Sequence, residues 1–311
     1  MKLHLDWGVT EDQTSTEYYG IPYNIVDGTS ATTTWPLVSY DIVDPRDANG
    51  AGVPAESDCA VANTSGGYKI QRNCSTVSTA NRRFPYPLES LIKIEGGYNQ
   101  TDPTPTFATD SHALVLEKGN CRLWESYFTY KVNGGWHAYS TAAWDLSSNA
   151  QRPDTWGSGD AAGLPILPLL VRVDEANAGQ INHALRVTLT NSLMAAIHAT
   201  NSHVWPARHA AGQLTSGGIP FGALMRLKAD FVIPSTWNTQ AKAVATAMKR
   251  YGLYIADNGS NMFIQGEPSV KWETNTYSQL QTITVDQFEF VSLSSVTSNT
   301  NFSADSFAAS W

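Results

Sequence analysis

Apolar and polar residues alternate in short runs along most of the chain, and Gly, Pro, Asn and Asp separate the runs. Period-two alternation of this length predicts half-buried strands joined by turns. In the first third such runs fall at 23–26, 37–43 and 68–71, among the turn pairs Asp27-Gly28, Asn49-Gly50, Gly66-Gly67 and Gly96-Gly97. From Thr109 the pattern sharpens. Segments 111–116 and 122–130 predict the two strands of a hairpin joined through Lys118-Gly119-Asn120, and 136–145 continues the sheet after the turn Asn133-Gly134-Gly135. Further strands are expected at 167–173, 184–189, 253–256 and 262–265.

One segment breaks the rule. Residues 239–251 are rich in Ala, Lys and Gln and place Val244, Ala247, Met248 and Tyr251 on one helical face. Pro234-Ser235-Thr236 offers a start signal, Lys249 and Arg250 suit the C-terminal dipole, and Gly252 is placed to end the helix. The expected fold is therefore mainly β: a single β-sandwich or jelly-roll-like domain over 1–291 with one well-formed helix. Within it, 1–105 reads as the loop-rich part and 106–291 as sheet core plus helix. Residues 292–311 read as an edge segment or a flexible tail.

Composition narrows the setting. Charged residues make up only 15% of the 311, against the roughly 25% usual in soluble proteins, and the net charge is −8. An acidic surface without basic clusters repels a phosphate backbone, so nucleic acid is not an expected partner. Membrane insertion is not expected either, because no apolar run approaches the ~20 residues that span a bilayer. The first seven residues lack the apolar stretch of a signal peptide. Scarce lysine, the sequons at Asn63, Asn73, Asn99, Asn258 and Asn301, and the Cys59/Cys74 pair in a Ser/Gly/Asn-rich stretch still point to a secreted protein. A Cys59–Cys74 disulfide would tie a surface loop; the alternative is two unpaired loop thiols. Cys121, inside a strand-like run, reads as a buried inert thiol.

No P-loop, dinucleotide fingerprint, nucleophile elbow, His-Glu-x-x-His helix or EF-hand loop occurs, which removes most nucleotide-dependent and serine-hydrolase readings. Functional side-chain types gather instead between residues 110 and 209. Asp110 and His112, two apart on an expected strand, would share a face. Three chemistries follow. Glu125 and Glu175, with Asp110 and Asp174 as substitutes, are the expected acid and nucleophile or base of a glycoside hydrolase. Trp124, Trp144 and Trp205, with Tyr127, would supply faces against which sugar rings stack. His183 and Arg208, with Tyr127 or Tyr139, could serve a polysaccharide lyase. His112, His183 and His209, with Asp110 or Glu125, could hold a divalent metal, although no cofactor is required. Each group also has an ordinary structural role open to it: a salt-bridged strand Glu125, a helix-opening Asp174-Glu175, core tryptophans.

The blocks Tyr19-Gly20-Ile21-Pro22-Tyr23, Asp110-Ser111-His112, Cys121-Arg122-Leu123-Trp124-Glu125 and Asn182-His183-Ala184-Leu185-Arg186 resemble a recurring family of secreted bacterial β-rich proteins. So do Trp205-Pro206-Ala207-Arg208-His209, Arg226-Leu227-Lys228 and the run from Tyr251-Gly252 to Asp257-Asn258-Gly259-Ser260. The resemblance spans about residues 3–290 and implies secretion and one continuous unit; it carries over no catalytic residue. The expected function is a secreted glycoside hydrolase acting on an extracellular polysaccharide. The alternatives are a non-catalytic glycan-binding, surface or filament protein, and a lyase or metal-dependent enzyme.

Overall fold

A computed structural model describes residues 1–42, 51–98 and 109–308. Val43, the Asn49-Gly50 turn, the Asn99 sequon and residues 309–311 lie outside the described residues. The chain is mainly β, and its contacts gather into two compact units. The first, here the N-terminal unit, comprises Asp12–Thr16 and Ile21–Ala150; the second, the C-terminal unit, comprises Met1–Glu11, Glu17–Gly20 and Gln151–Trp311. β1 (His4–Asp6) thus opens the chain but belongs to the second unit.

In the N-terminal unit β2 (Tyr23–Asp27) runs parallel to β6 (Ala113–Lys118), β6 pairs antiparallel with β7 (Arg122–Tyr127), and β7 with β10 (Ser140–Asp145). β3 (Val38–Ser39), β9 (Gly135–His137) and β8 (Tyr130–Val132) form a three-stranded sheet, and β4 (Asp58–Ala62) with β5 (Tyr68–Arg72) a hairpin. The 111–130 hairpin forms as the alternation predicts. Its turn uses left-handed backbone at Gly119 and again at Cys121, with φ of +90° and +50°. Cys121 is therefore a turn residue with an exposed thiol, and the expectation of a buried one is corrected. Phe128, also left-handed at φ +51°, ends β7 where a longer strand is expected.

The Cys59–Cys74 disulfide is present, joining β4 to the turn after β5 across 5.8 Å between Cα atoms. It borders an aromatic core in which Trp124 meets Trp35 and Phe84 edge-on, and Phe84 and Tyr86 lie 4.3 Å apart. Tyr86 is fully buried and shares a 2.7 Å hydrogen bond with Ser126, whose hydroxyl continues to Thr129 at 2.6 Å. Burial holds the Tyr86 phenol above its ordinary range, with the Ser126 bond opposing in part. Unfolded tyrosine ionises near pH ~10 while folded Tyr86 stays protonated, so this unit loses stability as pH rises past that value. Chemical denaturation should show Tyr86→Phe less stable than wild type at neutral pH but with a shallower decline at strongly alkaline pH. An unchanged decline would assign it to other groups.

The C-terminal unit is built on a six-stranded mixed sheet in the order β1-β14-β11-β13-β12-β15. Its strands are β11 (Leu185–Leu189), β12 (Leu224–Leu227), β13 (Leu253–Asn258), β14 (Phe263–Gln265) and β15 (Phe288–Val291). Four helices accompany them: α1 (Val173–Asn177), α2 (Thr239–Arg250), α3 (Thr274–Leu280) and α4 (Ser294–Thr297). α2 is the expected helix. Its N-cap is Asn238, whose side chain accepts from the Ala241 N–H at 2.8 Å, rather than the Pro234–Thr236 signal. Gly252 follows at φ +80°, and a Cβ there would come within 2.5 Å of the Met225 carbonyl, so only glycine fits. Ala241, Val244, Ala245 and Met248 bury the inner face of α2 in the core with Leu185, Val187 and Ile255.

The expected strand at 167–173 is corrected to a single 3-10 turn, Leu167–Leu169, followed by α1. Pro168 removes a donor that a ladder would need there, and Pro165 lies just before the segment. The described part of the tail, 292–308, forms α4 and a segment tied down by hydrogen bonds. Trp205 Nε1 donates to the Ser306 carbonyl at 2.9 Å, Arg208 Nη1 to the Ala304 carbonyl at 2.9 Å, and Gln151 Nε2 to Ser306 at 3.2 Å.

Candidate functional site

Residues 109–112 lead into β6 inside the N-terminal unit, and they are not strand. Ser111 takes a left-handed φ of +48°, and Phe128 and Thr129 donate to the carbonyls of Asp110 and Ser111 at 2.9 and 3.2 Å. Strand alternation therefore does not place Asp110 beside His112, as the sequence suggested; a turn does. The Glu95 N–H donates to the His112 carbonyl at 3.0 Å, and the next residue, Gly96, approaches Thr109 so closely that a Cβ would lie 2.4 Å from its side chain. The glycine lets the 95–97 turn close against 109–112.

Side chains converge where these segments meet. His112 Nδ1 lies 2.6 Å from Glu95 Oε2, and His112 is 1% exposed while the Glu95 carboxylate keeps 15%. One ligand atom each from Glu95, Asp110 and His112 falls within 4.8 Å of the others, the one His/Cys/Asp/Glu group among the described residues that meets this spacing. The Tyr127 ring lies 5.5 Å from the imidazole, with Tyr139 edge-on to Tyr127 at 5.9 Å. Two carboxylate oxygens and one imidazole nitrogen suit a divalent cation of the zinc, manganese or iron type. Three protein ligands leave coordination positions open, as in catalytic rather than structural sites. With a proton in place of a cation, Glu95 orients His112 as a general base.

The other predicted residues are placed differently. Glu125 is fully buried at the centre of its sheet, opposite Leu114 and Ala142. Glu175 belongs to the C-terminal unit, on α1, where Arg172 holds it at 2.6 Å and His183 Nε2 at 3.1 Å. His183 Nδ1 also contacts the Ala184 carbonyl at 2.8 Å, and His209 Nδ1 the Ala161 carbonyl at 2.9 Å. Asp174 pairs with Lys271 on the surface at 2.8 Å. Arg208 grips Asp305 at 2.7 Å, which makes it a strap for the tail rather than a clamp for a uronate. Trp124 and Trp144 are core residues, so the sugar-stacking role expected of them is corrected: neither offers a face to solvent. Trp205 packs edge-on against Phe302 and lines a surface groove.

Sequence reasoning missed Glu95. Its only local signal is the Gly96-Gly97 turn that follows, and its partner is 17 residues away. It also missed a buried network in the C-terminal unit. There Arg186 Nη2 meets Asp160 at 3.2 Å and Asp257 at 3.1 Å, and Nη1 donates to Gln265. Asp160 accepts from the Leu164 N–H at 2.9 Å as well, and Asp257 from Asn258 at 2.8 Å. No family model matches the chain, and neither does a curated protein or a solved structure.

Proposed function

We propose that the protein is an extracellular glycan-active enzyme whose working centre is Glu95, Asp110 and His112, loaded with a divalent cation. The convergence of these three ligand atoms within 4.8 Å carries the reading. The disulfide and the acidic, lysine-poor composition support an oxidising extracellular setting. Tyr127, beside the imidazole, and Tyr139, edge-on to Tyr127, add aromatic rings and phenol groups suited to sugar recognition and proton transfer. The Glu125–Glu175 pair is not favoured, because Glu125 sits mid-sheet opposite Leu114 and Ala142 while Glu175 is already held by Arg172 and His183. No described helix is long and apolar enough to cross a membrane.

A cation held by Glu95, Asp110 and His112 would supply Lewis-acid chemistry, polarising a sugar oxygen or lowering the pKa of a water. The test pairs metal analysis with product analysis. Wild-type protein dialysed against zinc or manganese should retain one equivalent by elemental analysis and release oligosaccharides from at least one of a panel of neutral and uronic polysaccharides. His112→Ala should lose both the metal and the products while keeping its far-ultraviolet circular dichroism. Retention of full turnover by His112→Ala, or a wild type that releases nothing from any polysaccharide, would refute the reading.

A further inference from the structure

β15 is the last strand of the six-stranded sheet, and among the described residues only β12 pairs with it. Open edges of this kind are normally guarded by lysine, proline or a bulge. β15 reads Phe-Glu-Phe-Val, with Phe290 59% exposed. Its single charge is neutralised inside the sheet, since Glu289 pairs with Arg226 at 2.8 Å on the neighbouring strand. Alongside lies a groove of about 680 Å³ walled by Trp205, Ile219, Pro220, Leu224, Phe290 and Leu293. No residue that lines it is ionisable.

The hydrogen-bond parity of the ladder settles which groups are free to pair. The Lys228 N–H donates to the Gln287 carbonyl at 2.9 Å, so the bonded pairs recur at Arg226–Glu289 and Leu224–Val291. The main-chain groups of Phe288 and Phe290 therefore point to the open side.

We propose that this edge joins a second copy of the chain, β15 to β15 and antiparallel, about a two-fold axis at Phe290. Such a register is self-complementary. Phe290 faces Phe290 and exchanges two main-chain hydrogen bonds with it, as an outward-facing pair requires. Glu289 falls opposite Val291, so no like charges meet, which matters for a chain of net charge −8. Phe288 falls opposite Ser292 at either end of the pairing, so the positions that meet there are uncharged as well. This inference is independent of the cation centre, which lies in the other unit.

Sedimentation velocity over a wide concentration range tests it, on a Cys121→Ser background so that the exposed thiol cannot cross-link copies. The expected result is a reversible dimer, with Phe290→Lys raising the dissociation constant at least tenfold. Phe290→Pro should do the same while keeping the thermal transition of the parent, since the lost N–H faces outward and serves no bond within its own sheet. A parent that stays monomeric at every concentration would overturn the proposal, whether or not it captures an extended peptide. So would a dimer that both variants leave intact.

Discussion

Arg186→Ala is expected to destabilise the C-terminal unit by about 3–5 kcal/mol, the range for breaking a buried ion pair from one side. Arg186 is fully buried on β11, and its guanidinium meets two carboxylates, Asp160 from the segment before α1 and Asp257 from β13, along with the amide of Gln265. Removing the cation takes a counter-charge from Asp160, whose side chain is wholly inaccessible. The loss should exceed that from Asp160→Asn, which keeps the shape and leaves Arg186 its contact with Asp257. Urea unfolding followed by tryptophan fluorescence gives the comparison. If Arg186→Ala fell within a few tenths of a kcal/mol of wild type, the carboxylates would have to find water or protons in the folded state. A network replaced wholesale by apolar residues of equal volume could come out near neutral, so the expected penalty belongs to the imbalance rather than to the number of bonds.

Trp124→Ala should cost the N-terminal unit about 3–5 kcal/mol, as large-to-small changes of buried aromatics do. The ring is fully buried and meets Phe84 and Trp35 edge-on, so its removal leaves a cavity in a closely packed aromatic core. The indole also has a polar duty. Nε1 donates to Glu117 Oε2 at 2.7 Å, and Glu117 is itself fully buried, with Asn120 at 2.6 Å on its other oxygen. Trp124→Phe separates the two effects: it keeps much of the volume and leaves Glu117 one donor short, for about 1–3 kcal/mol. Thermal or urea unfolding of both variants reads the difference. Equal losses would mean that packing alone accounts for Trp124.

Local pattern carried much of this architecture. α2, the β6–β7 hairpin and the Cys59–Cys74 link are each written within a few residues of themselves, by helix propensity, period-two alternation and spacing. Misreadings occurred where backbone chemistry overrode side-chain pattern. The apolar run at 167–173 looks like a strand, but Pro168 cannot donate to a ladder. Cys121 looks like a strand residue, but the chain must reverse there. The candidate site was half legible: Asp110 and His112 stood out as a pair, whereas Glu95 reaches them only because Gly96 permits a close approach of two loops. Arg186, Asp160 and Asp257 show the same limit, since nothing in three separate segments announces that one buried cation will need two anions from elsewhere.

The pairing of β1 with β14 has a consequence for how the chain is made. Asp6 and Gln265, which meet in that pairing and share a side-chain hydrogen bond, are 259 positions apart. A ribosome therefore releases the opening strand long before its neighbour exists, while the whole N-terminal unit is synthesised in between and can fold as soon as it emerges. The sheet of the C-terminal unit closes only late in translation, with its first strand held in reserve. Pairing across so long a separation is slow, because chain entropy is lost before contacts repay it. For most of its synthesis the molecule is thus a finished domain interrupting an unfinished one.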